Sequence, residues 1–193
     1  ALDIDSHQQA QLVEYVLLMD KWNKAYNLTS VRCPKQMMVK HILDSLAIMP
    51  HLPESNIIDV GTGPGLPGMP LAIAFPEKQF TLLDSLGKRV RFMTQCAHSL
   101  KLQNVMPLQS RVEAHQPIKP YDIVLSRAFA SLKDMLHWCE HLVDSEGLFL
   151  ALKGQYPQDE IEEVSNHYQV IRTENLTVPN LVGERHLVWI KKA

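Results

Sequence analysis

Hydrophobic and polar positions follow two regimes along this chain, and the change falls near residue 50. In the first, Leu12, Val13, Val16, Leu17 and Trp22 recur at near-helical spacing, which predicts a helix with one buried face. Ser6 followed by Gln9 reads as a capping box, so the helix is expected from there through about Tyr26. A second helix is expected from Pro34 to about Met49, because proline is tolerated in a first turn. Pro50 and Pro53 then punctuate the chain, and residues 1–52 read as a helical extension laid against the main fold.

From Asn56 onward, short apolar runs alternate with helical patterns. Strands are expected at 56–60, 79–84, 104–108, 121–126 and 147–152, with two more near 168–177 and 186–191. Helices are expected near 69–75, 87–100, 130–143 and 157–165. This alternation predicts an α/β fold with a mostly parallel sheet covered on both faces. No long helix fits between Thr177 and Arg185, so the final strand should run antiparallel. Without repeats, low-complexity tracts or linkers, residues 1–193 read as one domain.

Bulk properties exclude several classes. At 193 residues, 46% hydrophobic and 21% charged, the chain has ordinary globular composition. Its formal charge of −2 provides no general attraction to nucleic acid, so RNA binding would need a local basic patch. Cys33, Cys96 and Cys139 are odd in number and form no C-x-x-C pair, which suits reduced thiols in a cytoplasm. No apolar stretch approaches the roughly 20 residues that span a bilayer. The leading Ala-Leu-Asp-Ile-Asp has no signal-peptide pattern, and without an initiator Met this start is expected to be processed or trimmed.

The densest chemical signal is Ile57-Ile58-Asp59-Val60 running into a turn with glycines at 61, 63, 65 and 68, followed by an apolar helical segment. Strand, glycine turn and helix present bare backbone to a nucleotide-like ligand. Asp84 closes the next apolar run, where a carboxylate can accept from both hydroxyls of a ribose. Both features point to an adenosine-containing cofactor. The run Gly63-Pro64-Gly65-Leu66-Pro67-Gly68 formally satisfies the dinucleotide pattern, so an NAD(P)-dependent oxidoreductase is the rival. Three details favour S-adenosylmethionine. Asp59 near the turn would repel a pyrophosphate. Prolines 64, 67 and 70 remove N–H donors that would bind phosphate. A sulfonium cation, unlike a phosphate, favours nearby acids. Asp59 reads equally well as a carboxylate capping its own loop, and Asp84 as a helix cap.

Six motifs in order carry a family resemblance. They are Tyr26-Asn27-Leu28-Thr29-Ser30, His41-Ile42-Leu43-Asp44-Ser45, the glycine turn, Leu83-Asp84-Ser85-Leu86-Gly87-Lys88-Arg89, Ser126-Arg127-Ala128-Phe129-Ala130 and Gly183-Glu184-Arg185-His186-Leu187. Together they resemble the bacterial ribosomal RNA small subunit methyltransferase G family, over about residues 11 to 191. The resemblance implies a Rossmann-like methyltransferase sheet and methyl transfer from S-adenosylmethionine to N7 of one guanine in 16S rRNA. It also implies that Gly61 and Leu66 lie along the cofactor, that Val112 and Glu113 flank the adenine, and that Arg127 completes the pocket. From the residues alone, Arg111-Val112-Glu113 is an ordinary helix start. Members of the family usually carry additional N-terminal helix, and its absence is the visible departure.

The residues also limit the reaction. The Asp/Asn-Pro-Pro-aromatic motif that holds an exocyclic amine is replaced by Ser126-Arg127-Ala128-Phe129. Pyrimidine C5 methylation needs a cysteine nucleophile, whereas Cys33, Cys96 and Cys139 all fall in helical patterns. Guanine N7 presents a lone pair and loses no proton, so no general base is expected. Lys88, Arg89, Arg91, Arg111, Arg127, Lys153 and Arg185 are candidates for the RNA face, with Phe129 for stacking on the guanine. Lys88 to Arg91 reads equally as a solvated helix face, and Phe129 as core. His137 and His141 fall one helical turn apart, but two ligands do not make a metal site. No metal, membrane or protein partner is expected.

Overall fold

The computed structural model describes residues 3–53 and 55–193, so Ala1, Leu2 and Glu54 lie outside it. Seven strands form one sheet: β1 (Asn56–Val60), β2 (Gln79–Asp84), β3 (Val105–Gln109), β4 (Tyr121–Arg127), β5 (Val143–Lys153), β6 (Tyr168–Asn175) and β7 (His186–Lys192). Their order is β3-β2-β1-β4-β5-β7-β6. The first five pair in parallel, and β7 runs antiparallel to both its neighbours. The expected sheet is thus present, and β5 starts earlier than expected, at Val143.

Alternate residues of each central strand feed opposite cores. Ile57, Leu82, Ile123, Leu125, Leu150 and Leu187 face one layer, which includes α1 (Ser6–Tyr26), α4 (Gly68–Ala74) and α5 (Gly87–Ser99). Ile58, Val60, Val124, Phe149, Val188 and Ile190 face the other, covered by α6 (Leu132–Cys139). Strands apolar on both faces are what a doubly covered parallel sheet requires.

The N-terminal region departs from its pattern in four places. The cap of α1 is Asp5 with Gln8, not Ser6 with Gln9: Asp5 accepts from the Gln8 N–H at 2.8 Å, and Gln8 Oε1 accepts from the Asp5 N–H at 3.0 Å. The Gln8 amide also donates to the Ile73 and Ala74 carbonyls at the end of α4, a tertiary contact that favours this frame. Second, Leu12, Tyr15, Val16, Met19 and Asn23 are the buried face, while Val13 and Leu17 stay 49% and 58% exposed. Third, the expected second helix has a π-helical centre, Met38–Leu43, between α2 (Pro34–Met37) and α3 (Asp44–Leu46). Fourth, Cys33 is not helical; it lies exposed ahead of Pro34. Two later helices are shorter than expected, with α6 giving way to a 3₁₀ turn at Glu140–Leu142 and α7 confined to Gln158–Glu162.

What the extension does for the sheet is specific. Tyr15, fully buried, donates its hydroxyl hydrogen to the Pro64 carbonyl at 2.8 Å, tying α1 to the glycine turn. Beneath that turn lies Asp59, also fully buried. Its Oδ2 accepts from Thr62 Oγ1 at 2.6 Å and from the Gly68 N–H at 2.8 Å, bracing both ends of the turn, while Oδ1 has no partner. Burial pushes the Asp59 carboxyl up to about 7, against the opposing pull of the two hydrogen bonds.

Two stability predictions follow from these contacts. Tyr15→Phe leaves the Pro64 carbonyl unpaired and should cost about 1–3 kcal/mol, measured by urea denaturation; an unchanged midpoint contradicts the tie. For Asp59, the folded state holds its proton up to about 7 against an ordinary 3.8. Between these values the folded protein binds the extra proton, so the group's favourable contribution is present below the lower value and lost as pH rises through the upper. Wild-type stability relative to Asp59→Asn should therefore fall from about pH 4 to about pH 7. A difference that rises across this window contradicts the assignment.

Candidate active site

The order of the sheet reverses at β1, since β2 and β3 lie on one side of it and β4 and β5 on the other. Ligands of open α/β sheets collect beyond the strand ends at such a switch point. Here a crevice of about 400 Å³ opens, lined by Gly61, Leu83, Asp84 and Ser85, by Ser110 to Glu113, and by Arg89, Ala128, Phe129 and Trp138. Its volume is that of a small-molecule site.

Gly61 forms the floor. Its φ is +65°, and a Cβ built there would lie 2.3 Å from Phe129 Cδ2. The position therefore demands glycine for backbone angle and for space. Phe129 in turn meets Trp138 edge-on, with centroids 5.7 Å apart, so one wall is aromatic. Ala128, just before it, has a φ of 51°, a left-handed conformation that turns the chain out of β4.

Asp84 is 2% exposed and anchors the opposite wall. Oδ2 accepts from the Gly63 N–H at 2.9 Å and from Arg89 Nη1 at 3.0 Å; Oδ1 accepts from the Leu86 N–H at 2.9 Å. A carboxylate has about four acceptor sites. Three are in use, so one ribose hydroxyl can be accepted directly, and the second requires Arg89 to release Oδ2. Arg89 is itself incompletely paired, because its buried Nε has no partner.

The hydrogen bonds of the turn decide between phosphate and no phosphate. Gly61 and Thr62 donate their N–H groups to the Leu83 carbonyl. Gly63 donates to Asp84, and Gly65 and Leu66 donate to the Thr62 carbonyl. Gly68 donates to Asp59 and Met69 to the Gly65 carbonyl, while Pro64 and Pro67 have no N–H. Every donor from 61 to 69 is thus bound within the chain. A pyrophosphate is held by free donors at this place, and none is free.

Among the expected cofactor residues, Gly61, Asp84, Val112 and Glu113 line the crevice. Gly63 and Gly65 form the turn behind it, Leu66 is packed in the core, and Asp59 lies underneath as a brace. Arg127 does not line the crevice; its Nη1 donates to Asp44 Oδ2 at 2.8 Å and to the Lys40 carbonyl at 3.3 Å. Of the expected RNA residues, Arg89, Arg111 and Phe129 line the same crevice. Lys88 caps the end of α1 through the Tyr26 carbonyl. Lys153 is held by Glu160 at 2.7 Å and the Ala130 carbonyl at 3.0 Å, and Arg185 by Asp44 at 2.6 Å.

Trp138, Ala128, Ser85 and Ser110 are crevice residues that the sequence reading did not single out. Asp44 is also new as a site residue. Its signal was present, an acid between Ile42-Leu43 and Leu46 in a helical pattern, where an apolar residue would ordinarily pack.

The crevice lining contains no histidine, lysine or cysteine. Cys139 is fully buried, with its thiol pushed up to about 12 by burial, and Cys96 is likewise raised. Neither can supply a thiolate nucleophile. The groups that carry charge here are two carboxylates, Asp84 and Glu113, set among Arg89 and Arg111.

Comparison with known proteins agrees with this geometry. At the level of fold, the structure superposes on TrmN from Thermus thermophilus with a TM-score of 0.60 at 16% identity, covering 77% of this chain and 47% of that one. It also matches a mutant of MtNAS solved in complex with S-adenosylmethionine, at a TM-score of 0.63 and 14% identity over 93% of this chain and 75% of that one. In sequence, the chain is 82% identical to the ribosomal RNA small subunit methyltransferase G of Alteromonas mediterranea, over all of this chain and 91% of that protein. Identity to the protein of the same name from Salmonella arizonae is 60%, over 98% of this chain and 92% of that one. The family model for rRNA small subunit methyltransferase G matches residues 8–188. The chain belongs to the rRNA small subunit methyltransferase G family, an S-adenosylmethionine-dependent methyltransferase rather than a dehydrogenase.

Proposed function

We propose that this chain methylates N7 of a specific guanine in 16S rRNA, acting in the cytoplasm on the RNA or the small ribosomal subunit. One observation carries the cofactor half of this reading: the turn after β1 has no free N–H for a phosphate, yet it stands beside a buried acceptor, Asp84, placed for a ribose. S-adenosylmethionine, when bound, supplies an electrophilic methyl on a sulfonium.

The roles of the chain's own residues follow. Asp84 accepts from the ribose, and Glu113 accepts from the adenine amino group beside the apolar edge of Val112. Gly61 leaves room for the Phe129 ring to lie against the turn. Phe129, over Gly61 and backed by Trp138, is placed to stack on the target base. Because N7 attacks with a lone pair and gives up no proton, a crevice whose lining holds no histidine, lysine or cysteine suffices. Catalysis then consists of orientation, which contributes up to about 7–11 kcal/mol in well-aligned systems.

The direct test uses small-subunit particles from cells lacking the modification, incubated with the protein and cofactor labelled in the methyl group. The expected product is a single 7-methylguanosine in the small-subunit RNA; label on an exocyclic amine, on ribose or on a pyrimidine contradicts the reading. Asp84→Ala should weaken cofactor binding by about 1.5–3 kcal/mol, the value of a hydrogen bond to a charged group, as read by calorimetry. Unchanged affinity would remove Asp84 from the ribose role.

A further inference from the structure

Charge is divided unevenly between the two layers that cover the sheet. Residues 21–43, from the last turns of α1 to the end of the π-helical stretch, contain Lys21, Lys24, Arg32, Lys35 and Lys40 and no acid. Residues 85–112, which include α5 and β3, contain Lys88, Arg89, Arg91, Lys101 and Arg111, again with no acid. The other nine basic residues share the rest of the chain with all 21 acids. A chain of formal charge −2 thus concentrates its cations in two segments.

The fold brings those segments together. Lys88 Nζ donates to the Tyr26 carbonyl at 2.8 Å, while Arg32 donates to the Asn23 carbonyl at 3.2 Å and to Asn27 Oδ1 at 2.8 Å, so both close on the end of α1. Trp22 joins α1 to α5, its ring centroid lying 5.6 Å from that of Phe92 and 5.1 Å from that of Tyr26. Beside Trp22 runs a groove of about 600 Å³, lined by Val90, Arg91, Thr94, Gln95 and His98 along one side of α5. Gly87 and Gln109 of the groove lie two residues and one residue from Ser85 and Ser110 of the crevice, so the groove adjoins the active site. Arg89 and Arg111 carry the positive charge into the crevice lining itself.

Most of these cations are unspent. Lys24 is paired with Asp20 and Arg89 with Asp84. Among the described residues, none of the other eight meets a carboxylate. Tyr26, 41% exposed, adds an aromatic ring of the kind on which an unpaired base stacks. Glu14, an exposed acid two turns before Trp22, marks where the face ends along α1. The other layer has the reverse composition. Residues 134–163, from within α6 through α7, contain eight acids and one Lys or Arg, Lys153, which is itself held by Glu160. Glu160 also accepts from the Leu132 N–H at 2.7 Å, which sets α7 against the start of α6.

A phosphodiester backbone is the partner that unpaired cations around a groove suit, and an acidic bank repels it. We propose that the rRNA flanking the target guanine lies across the face made by the end of α1, residues 27–43 and α5, and is kept off the α6–α7 side. The proposal rests on the RNA reading above and deepens it, giving the strand a direction out of the crevice. It makes the extension part of the substrate surface and leaves Lys153, on the acidic side, out of it.

The test is binding of the full chain to unmodified small-subunit rRNA as a function of salt, with cofactor affinity measured in parallel. One variant combines Lys21→Gln, Lys35→Gln and Arg91→Gln, all exposed positions on the face. Its control combines Lys119→Gln, Lys133→Gln and Lys191→Gln, exposed positions elsewhere that remove the same charge. The first variant should lose at least tenfold in RNA affinity, with a log–log salt slope shallower by at least about 0.7, one phosphate contact. The control should keep the wild-type slope, and both variants should bind the cofactor as the wild type does.

Equal losses in the two variants would make net charge the cause, and a loss confined to the control would put the RNA on the other layer; either result overturns the proposal. So does a wild-type slope in the first variant, including the case in which it binds naked rRNA normally but intact small subunits poorly, which would assign the face to a ribosomal protein. If the wild type shows no salt-dependent affinity for this RNA, the substrate reading fails first and the face falls with it.

Discussion

Two carboxylates buried at the ends of neighbouring strands hold the glycine turn, and the site depends on that arrangement. Asp59 braces it from below through Thr62 and Gly68, and Asp84 from the side through Gly63. Burying two acids so close together is costly unless each is well satisfied. The turn meets Asp59 Oδ2 through the Thr62 hydroxyl and the Gly68 N–H, leaving Oδ1 unpaired, and meets Asp84 through the Gly63 N–H; with its donors so engaged it is a floor rather than a phosphate cradle. Tyr15 adds a third restraint from α1, so the extension is part of the site's framework.

That saturation has a chemical consequence. A strand-turn-helix unit with glycines at the right spacing serves phosphate when its N–H groups point outward and are free. Here they are spent internally, and what remains for a ligand is a carboxylate, a wall of Val112 and Glu113, and an aromatic wall of Phe129 and Trp138. A lining without histidine, lysine or cysteine fits a nucleophile that brings its own lone pair. Arg127 and Arg185 lie outside the lining, both paired with Asp44.

Local features made much of this legible. The strands from Asn56 onward are apolar at consecutive positions, which only a doubly covered sheet explains, and the gap between Thr177 and Arg185 is too short for a crossover helix. Asp84 and the prolines of the turn likewise spoke through local chemistry. What stayed hidden depends on contacts between distant residues. Asp5 and Ser6 both make good helix caps; the choice is made by Gln8 reaching the end of α4. Val13 and Leu17 share the helical spacing of the core, yet the buried face is set by where Tyr15 and Met19 meet the sheet. Nothing near Arg127 or Arg185 in sequence shows that Asp44 holds them, and basic residues read as RNA contacts turn out to have partners within the chain, as for Lys88 and Lys153.

A crystal structure of the chain with S-adenosylmethionine tests the central claim most directly. The ribose should lie against Asp84, with Arg89 drawn off Oδ2 to free the second acceptor, and with the hydrogen bonds from Gly61 to Met69 unchanged. The methyl should point toward open space beside Phe129. A ligand bound elsewhere, or a turn that unlatches from Asp59 and Asp84 to offer its N–H groups to the ligand, would contradict the account.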